Sequence, residues 1–135
     1  MRLLNLDHVA IAVENLDQAV SEYRRQYGVE PLYREVVSDQ GVEEAMIPVG
    51  GSYVQLVQPL RADTPVGRFL ASRGQGLHHV AFAVASIDDA LAHLRSEGVQ
   101  LIDEKPRVGG GGHRIAFVHP GQLASTLIEL VELDA

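Results

Sequence analysis

The sequence predicts an α+β fold made of two tandem βαβββ modules, and three observations carry the prediction. A mostly apolar stretch with a histidine, Leu6–Val13 (LDHVAIAV), is echoed 71 residues later by Leu77–Val84 (LHHVAFAV). The segments that follow also answer each other, Leu16-Asp17-Gln18-Ala19-Val20 by Ile87-Asp88-Asp89-Ala90-Leu91. Late in each half comes another matched pair, Tyr53–Val57 (YVQLV) and Leu127–Val131 (LIELV), 74 residues apart. Two long copies, rather than many short ones, describe a duplicated domain and not a solenoid.

Taken in order, Leu4–Val13 alternates with the period of a strand. Leu6, His8, Ala10 and Ala12 share one face; Asp7, Val9, Ile11 and Val13 share the other, which is the face expected against helices. Asn15 or Asp17 caps a helix running to about Tyr27, with Leu16, Ala19, Val20 and Tyr23 at helical spacing and Gly28 as a left-handed stop. Extended runs follow at Leu32–Ser38, Val42–Val49 and Ser52–Gln58, the last two joined by the turn signal Gly50-Gly51. Pro65 sits where a first helical turn starts, and Val66, Phe69 and Leu70 form the apolar edge of a linker helix. The second module repeats the plan. It reads as strand Leu77–Val84, helix Ile87–Glu97 stopped by Gly98, a short strand near Val99–Glu104, and strands His113–His119 and Ser125–Leu133. The whole chain reads as one domain, with modules over about residues 3–59 and 76–133 and the linker helix over about 64–73.

Composition narrows the function. The 135 residues suffice to bury a core without staples, and 46% apolar with 21% charged residues is ordinary for a globular protein. A formal charge of −7 and a 5% aromatic content without Trp argue against a nucleic-acid binder. No apolar run approaches a membrane span, and Met1-Arg2-Leu3-Leu4-Asn5 lacks the features of a signal peptide. The expected address is cytoplasmic. With no cysteine, neither a thiolate nucleophile nor a thiolate ligand is available.

The chemistry concentrates in the repeated strands. His8 and His79 are equivalent, and so are Gln55 and Glu129, each the one polar residue in an otherwise apolar strand core. A buried amide or carboxylate without a partner is costly, so four such groups at pairwise-equivalent positions point to one shared site. Two imidazoles, an amide oxygen and a carboxylate suit a divalent ion, with water or substrate oxygens completing the shell. Taken singly, each of these residues reads as an ordinary core or surface group.

These strands resemble those of the vicinal oxygen chelate superfamily, and within it the methylmalonyl-CoA epimerase family. The likeness runs from LDHVAIAV through DQGVEEAMIPVG and VQLVQPL to RFLASRGQGLHHVAFAV, then through GVQLIDEKPRVGGGGHRIAFVHP to LIEL. The resemblance implies paired βαβββ modules cupping a metal held by His8, Gln55, His79 and Glu129, with Co2+, Mn2+, Zn2+, Ni2+ or Mg2+ as the ion. It implies catalytic glutamates at Glu44 and Glu129, working on opposite faces of an enolate derived from a 2-methylmalonyl thioester. It also implies an acyl-CoA substrate and a homodimer, with no nucleic-acid or membrane partner. Glu129 is the weaker of the two bases, because a metal's charge lowers the basicity of its ligand. His119 matches a position near the substrate; its plainer reading is a strand-end residue capping the turn at Pro120-Gly121. Arg114, with Arg107 and His113, flanks the glycine run Gly109–Gly112, a flap suited to admitting a long acyl-CoA and steadying its phosphates. A glycine-rich hairpin loop explains that run equally well. His78 reads as structural.

One stretch departs from the family. Where such epimerases usually carry H-P-K-S and a glycine-rich turn, this chain has His119-Pro120-Gly121-Gln122-Leu123-Ala124-Ser125-Thr126. That loses a lysine and leaves room for an alternative acyl group such as ethylmalonyl. The competing readings are another chelate-type enzyme, a glyoxalase or ring-cleaving dioxygenase, and a metal-free small-molecule-binding protein of the same fold. The fourth ligand, Gln55, weighs against the dioxygenase, and the retained ligand set with Glu44 weighs against the binding protein.

Overall fold

A computed structural model describes residues 1–122 and 124–133, leaving out Leu123, Asp134 and Ala135. The chain divides into two compact units, His8–His78 and a second comprising Met1–Asp7 with His79–Ala135.

In the unit His8–His78, the part of strand β1 (Asn5–Ala12) from His8 onward runs parallel to β4 (Ser52–Pro59), with Ala10 across from Gln55. β3 (Val42–Val49) is antiparallel to β4, and β2 (Tyr33–Val37) is antiparallel to β3, so the order is β2-β3-β4-β1. The crossover from β1 is helix α1 (Leu16–Tyr27). Asn15 caps it by accepting the Gln18 N–H at 3.0 Å, and the Gln58 side chain of β4 takes the Leu16 N–H at 2.6 Å. Gly28, at φ +66°, ends it in the left-handed region that glycine occupies without strain. Leu16 and Val20 bury against Ala45, Ile47 and Leu56 on one sheet face. Full burial of a leucine-sized side chain contributes roughly 2–3 kcal/mol, so this contact anchors the helix. On the other face Ala12, Val37, Val42 and Val57 meet Val66 of helix α2 (Pro65–Arg73). Thr64 caps α2 through the Gly67 N–H, and Gly67 itself is forced: an added Cβ would lie 2.6 Å from the carbonyl oxygens of Arg61 and Ala62.

The second unit repeats the scheme. β5 (Gly76–Val84) is parallel to β8 (Ile128–Glu132), with Ala81 across from Glu129; β7 (Arg114–Val118) and β6 (Arg107–Val108) follow antiparallel, giving β5-β8-β7-β6. Helix α3 (Ile87–Ser96) is capped by Ser86, and Glu132 of β8 accepts the Ile87 N–H at 3.0 Å, as Gln58 does for Leu16. Ile87, Ala90 and Leu91 pack on Val84, Ala116 and Leu130, whereas Ala81, Ile115, Phe117 and Val131 gather on the opposite face. The α+β class with two βαβββ modules is therefore the observed fold. Among the described residues no helix is long and apolar enough to cross a membrane.

Two boundaries differ from expectation. Val99–Glu104 is not a strand: only Leu101 bridges to Val118. The N–H groups of Ile102 and Asp103 both go to the Phe117 carbonyl, and the Asp103 side chain takes the Phe117 N–H at 2.8 Å. A side chain thus replaces the carbonyl a ladder would use, and the edge strand forms instead at Arg107–Val108. The last strand starts at Ile128 rather than Ser125, because Ala124 and Ser125 have φ of +53° and +57°, which no strand accommodates.

Candidate active site

Alternation along β1 places His8 on the face of Ala10 and Ala12, away from α1, and all three are buried. The two alanines keep that face shallow. On β4, Gln55 lies directly between Ala10 of β1 and Met46 of β3. Glu44 is two residues from Met46 on the same side of β3 and is fully buried, whereas Glu43 points away and pairs with Arg34. The Gln55 amide nitrogen donates to a Glu44 carboxylate oxygen. The Gln55 carbonyl oxygen is buried without a hydrogen-bond partner among the described residues.

Burial pushes the Glu44 carboxyl up to about 7. Glu35, directly opposite on β2, adds to the rise by hydrogen bonding and by like charge. The Gln55 amide and the charge of His8 pull the other way, but desolvation dominates.

In the second unit, His79 occupies the position on β5 that His8 holds on β1, and Glu129 the position on β8 that Gln55 holds on β4. Both are buried, and His79 Nε2 stands 3.3 Å from Glu129 Oε1. The Phe117 ring meets His79 edge-on, with centroids 5.2 Å apart. The ladder position equivalent to Glu44 is filled by Ile115, which faces Val131 as Glu44 faces Val57.

The remaining predicted residues are placed as follows. His119 accepts the Gly121 N–H on Nδ1 at 3.0 Å, the turn-capping arrangement. Arg114 is exposed and engages Asp88 of α3 at 3.0 Å and Glu132 at 3.3 Å, on the helix side of β7 and opposite to Phe117. His78 packs edge-on against Phe69 of α2 at 4.9 Å. Arg107, which sequence reasoning gave only a supporting place, has its guanidinium carbon 5.6 Å above the Phe117 ring and its Nε 3.4 Å from Asp103. Alternation on β7 turns Ile115 and Phe117 one way and Arg114 the other, but the two-residue β6 gives Arg107 no sequence signal of its own.

The donor chemistry fits a divalent cation. Each unit buries one imidazole and one oxygen donor on the same face. The orphaned carbonyl oxygen of Gln55 is the kind of atom a metal satisfies, and carboxylate and imidazole 3.3 Å apart in the other unit can share an ion.

The pattern of the glyoxalase/bleomycin resistance protein/dioxygenase superfamily matches residues 7–117. The chain belongs to this superfamily. Within it, a Streptomyces coelicolor methylmalonyl-CoA epimerase variant in complex with 2-nitronate-propionyl-CoA is 42% identical. It superimposes with a TM-score of 0.96 over 99% of this chain and 97% of that one. A methylmalonyl-CoA epimerase in complex with methylmalonyl-CoA and NH4+ is also 42% identical, with a TM-score of 0.95 over the same shares. The ethylmalonyl-CoA/methylmalonyl-CoA epimerase of Cereibacter sphaeroides is 31% identical across 95% of this chain and 97% of its own length. This superfamily member is an isomerase of the methylmalonyl-CoA epimerase type.

Proposed function

We propose that this enzyme interconverts the 2R and 2S forms of methylmalonyl-CoA, with His8, Gln55, His79 and Glu129 together holding one divalent ion. The observation that carries the reading is Glu44: a fully buried carboxyl, hydrogen-bonded to Gln55 and raised to about 7, on the face that bears His8. The liganded relatives, with methylmalonyl-CoA and a nitronate analogue, support the substrate class.

The ion, when bound, supplies a Lewis acid for the negative charge that develops on the thioester oxygen. Glu44 takes the hydrogen from C2, a role that suits a carboxylate tuned close to neutral pH. Its dry surroundings strengthen that base and keep bulk water from competing. Inversion requires a proton delivered to the other side of the flattened carbon, and Glu129 is the carboxyl assigned to it. The contact with His79 holds Glu129 in place, and ligation lowers its basicity, so this is the weaker assignment. His119 and Arg114 complete the expected substrate contacts, although Arg114 serves an anion only by giving up Asp88 or Glu132. An ethyl side chain on the substrate belongs to the same reading. So do a single 1–135 domain, a homodimer and a cytoplasmic address.

Proton exchange in D2O tests the reading: methylmalonyl-CoA, protein and metal are followed by NMR at the C2 hydrogen, with and without EDTA. Metal-dependent washout with loss of stereochemical purity is expected. No exchange with the methyl or ethyl substrate, despite bound metal, returns the chain to the glyoxalase or binding-protein readings.

A further inference from the structure

In the second unit one apolar side chain stands beside both proposed donors. Phe117 of β7 lies directly across from Glu129 of β8, and its ring forms a T-shaped pair with His79 of β5, centroids 5.2 Å apart and planes at 87°. His79 Nε2 in turn stands 3.3 Å from Glu129 Oε1. The backbone of Phe117 is gripped from its other edge. Its N–H goes to Asp103 at 2.8 Å, and its carbonyl takes the N–H groups of Ile102 and Asp103 at 3.0 and 3.2 Å. Both backbone groups therefore point away from β8. That makes Phe117 and Glu129 a non-hydrogen-bonded pair, the closer antiparallel kind, with Cα atoms about 4.5 Å apart. The last torsion of a histidine has broad wells, so its neighbours decide where the imidazole plane lies. Hydrogen bonds commonly do this in metal sites, and packing against a rigid ring adds a second restraint. Phe117 is such a ring, buried with Ala81, Ile115 and Val131. The duplicate position, across from Gln55, holds Met46, a flexible chain with no fixed plane.

We infer that Phe117 is a positioning residue of the metal centre, its ring setting the plane of the His79 imidazole so that Nε2 is aimed at an ion shared with Glu129. The inference rests on the ligand set proposed above. Phe117 binds neither ion nor substrate and moves no proton; it acts through His79. With the ring gone, the strands can persist while Nε2 leaves that line. Its loss therefore shows in metal affinity, and not only in stability.

The test is calorimetric titration of Co2+ into the metal-free protein. In parallel the His79 imidazole is followed by long-range 1H–15N NMR before any metal is added, its signals identified by their loss in His79→Ala. Phe117→Met installs the residue of the duplicate position, Phe117→Leu is a second ring-free variant, and Phe117→Tyr keeps the ring. Ile115→Ala is the packing control, because it opens the same apolar cluster but sits across from Val131 and not Glu129. The Kd for Co2+ should rise roughly 10- to 100-fold in Phe117→Met and Phe117→Leu, the range for residues that orient a ligand. It should stay within about threefold of wild type in Phe117→Tyr and Ile115→Ala, below that range. The imidazole signals should shift or multiply only where the ring is gone. Wild-type Kd values in both ring-free variants overturn the inference. An equal loss in Ile115→Ala also overturns it, by marking the effect as general packing. If the wild type takes up no ion, the ligand set itself falls. Imidazole signals that still change on ring loss and return in Phe117→Tyr would then leave the positioning of His79 standing, and unchanged signals would remove that too.

Discussion

Gln55 gives its amide nitrogen to Glu44 and keeps its carbonyl oxygen without a hydrogen-bond partner among the described residues. One side chain thus touches both halves of the proposed chemistry, with the oxygen toward a metal and the nitrogen holding the base. Gln55→Ala should therefore have two effects. Metal affinity should fall by at least roughly 10- to 100-fold, the cost of losing a supporting contact, though less than for an imidazole because a neutral amide oxygen is the weakest donor of the set. Glu44 should also become harder to ionise, because the donor that favours its charged form is gone. Metal titration and the pH dependence of kcat/KM read the two separately; an unchanged pH profile would disconnect Gln55 from the base.

His79 is both a proposed ligand and the partner of Glu129. Its replacement by alanine should lower metal affinity by more than about 100-fold and abolish epimerisation in parallel, since a lost ligand costs more than a lost supporting contact. Metal content after gel filtration, set beside turnover, decides this. An active His79→Ala enzyme holding its metal would exclude the histidine from the ligand set.

Glu44→Gln should preserve the fold and the metal while reducing kcat by roughly 10²- to 10⁴-fold, the span attributed to a single general base. Full activity in that variant would take Glu44 out of the mechanism.

The same carboxyl makes the metal-free protein sensitive to pH. In the folded state its pKa of about 7 lies above the ordinary value of 4.5, so the neutral form is the one that folding favours. Its contribution to stability is fully present below about pH 4.5 and is lost as pH rises through 7. The denaturant midpoint of the metal-free wild type should therefore drop more between pH 5 and pH 8 than that of Glu44→Gln. Equal drops would mean that Glu44 ionises like a surface carboxylate.

Gly67→Ala offers a stability test away from the chemistry. In an exposed helix the exchange would gain about 1 kcal/mol. Here the new methyl would lie 2.6 Å from two carbonyl oxygens, and the strain should instead cost roughly 1–3 kcal/mol. Thermal melting should show a loss of several degrees, and a rise would contradict the close approach at the start of α2.

Much of this was legible in the sequence because duplication writes each feature twice. His8 with His79 and Gln55 with Glu129 emerge as matched positions, and the ladders put Ala10 across from Gln55 just as they put Ala81 across from Glu129. What stayed hidden depends on side chains standing in for backbone. The Val99–Glu104 run has the pattern of a strand, but Asp103 accepts the Phe117 N–H itself and ends the pairing. A two-residue edge strand leaves no periodicity to detect, so Arg107 was read as part of a loop. Arg114 drew attention by its place beside a glycine run, where the parity of β7 sends it toward α3. Of the loop that departs from the family, Leu123 lies outside the described residues.

Ile115 occupies the ladder position in one unit that Glu44 occupies in the other. A gene fused to its own copy starts with both halves chemically identical, and at this position the two have parted: one offers a hydrogen acceptor, the other only hydrocarbon. The paired histidines have not parted. In the proposed reaction, an enzyme built this way meets two reactants that differ only in configuration at C2 with unequal tools. The forward and reverse directions can then differ in which bond-breaking event limits the rate, and primary deuterium isotope effects for the two epimers have no reason to coincide.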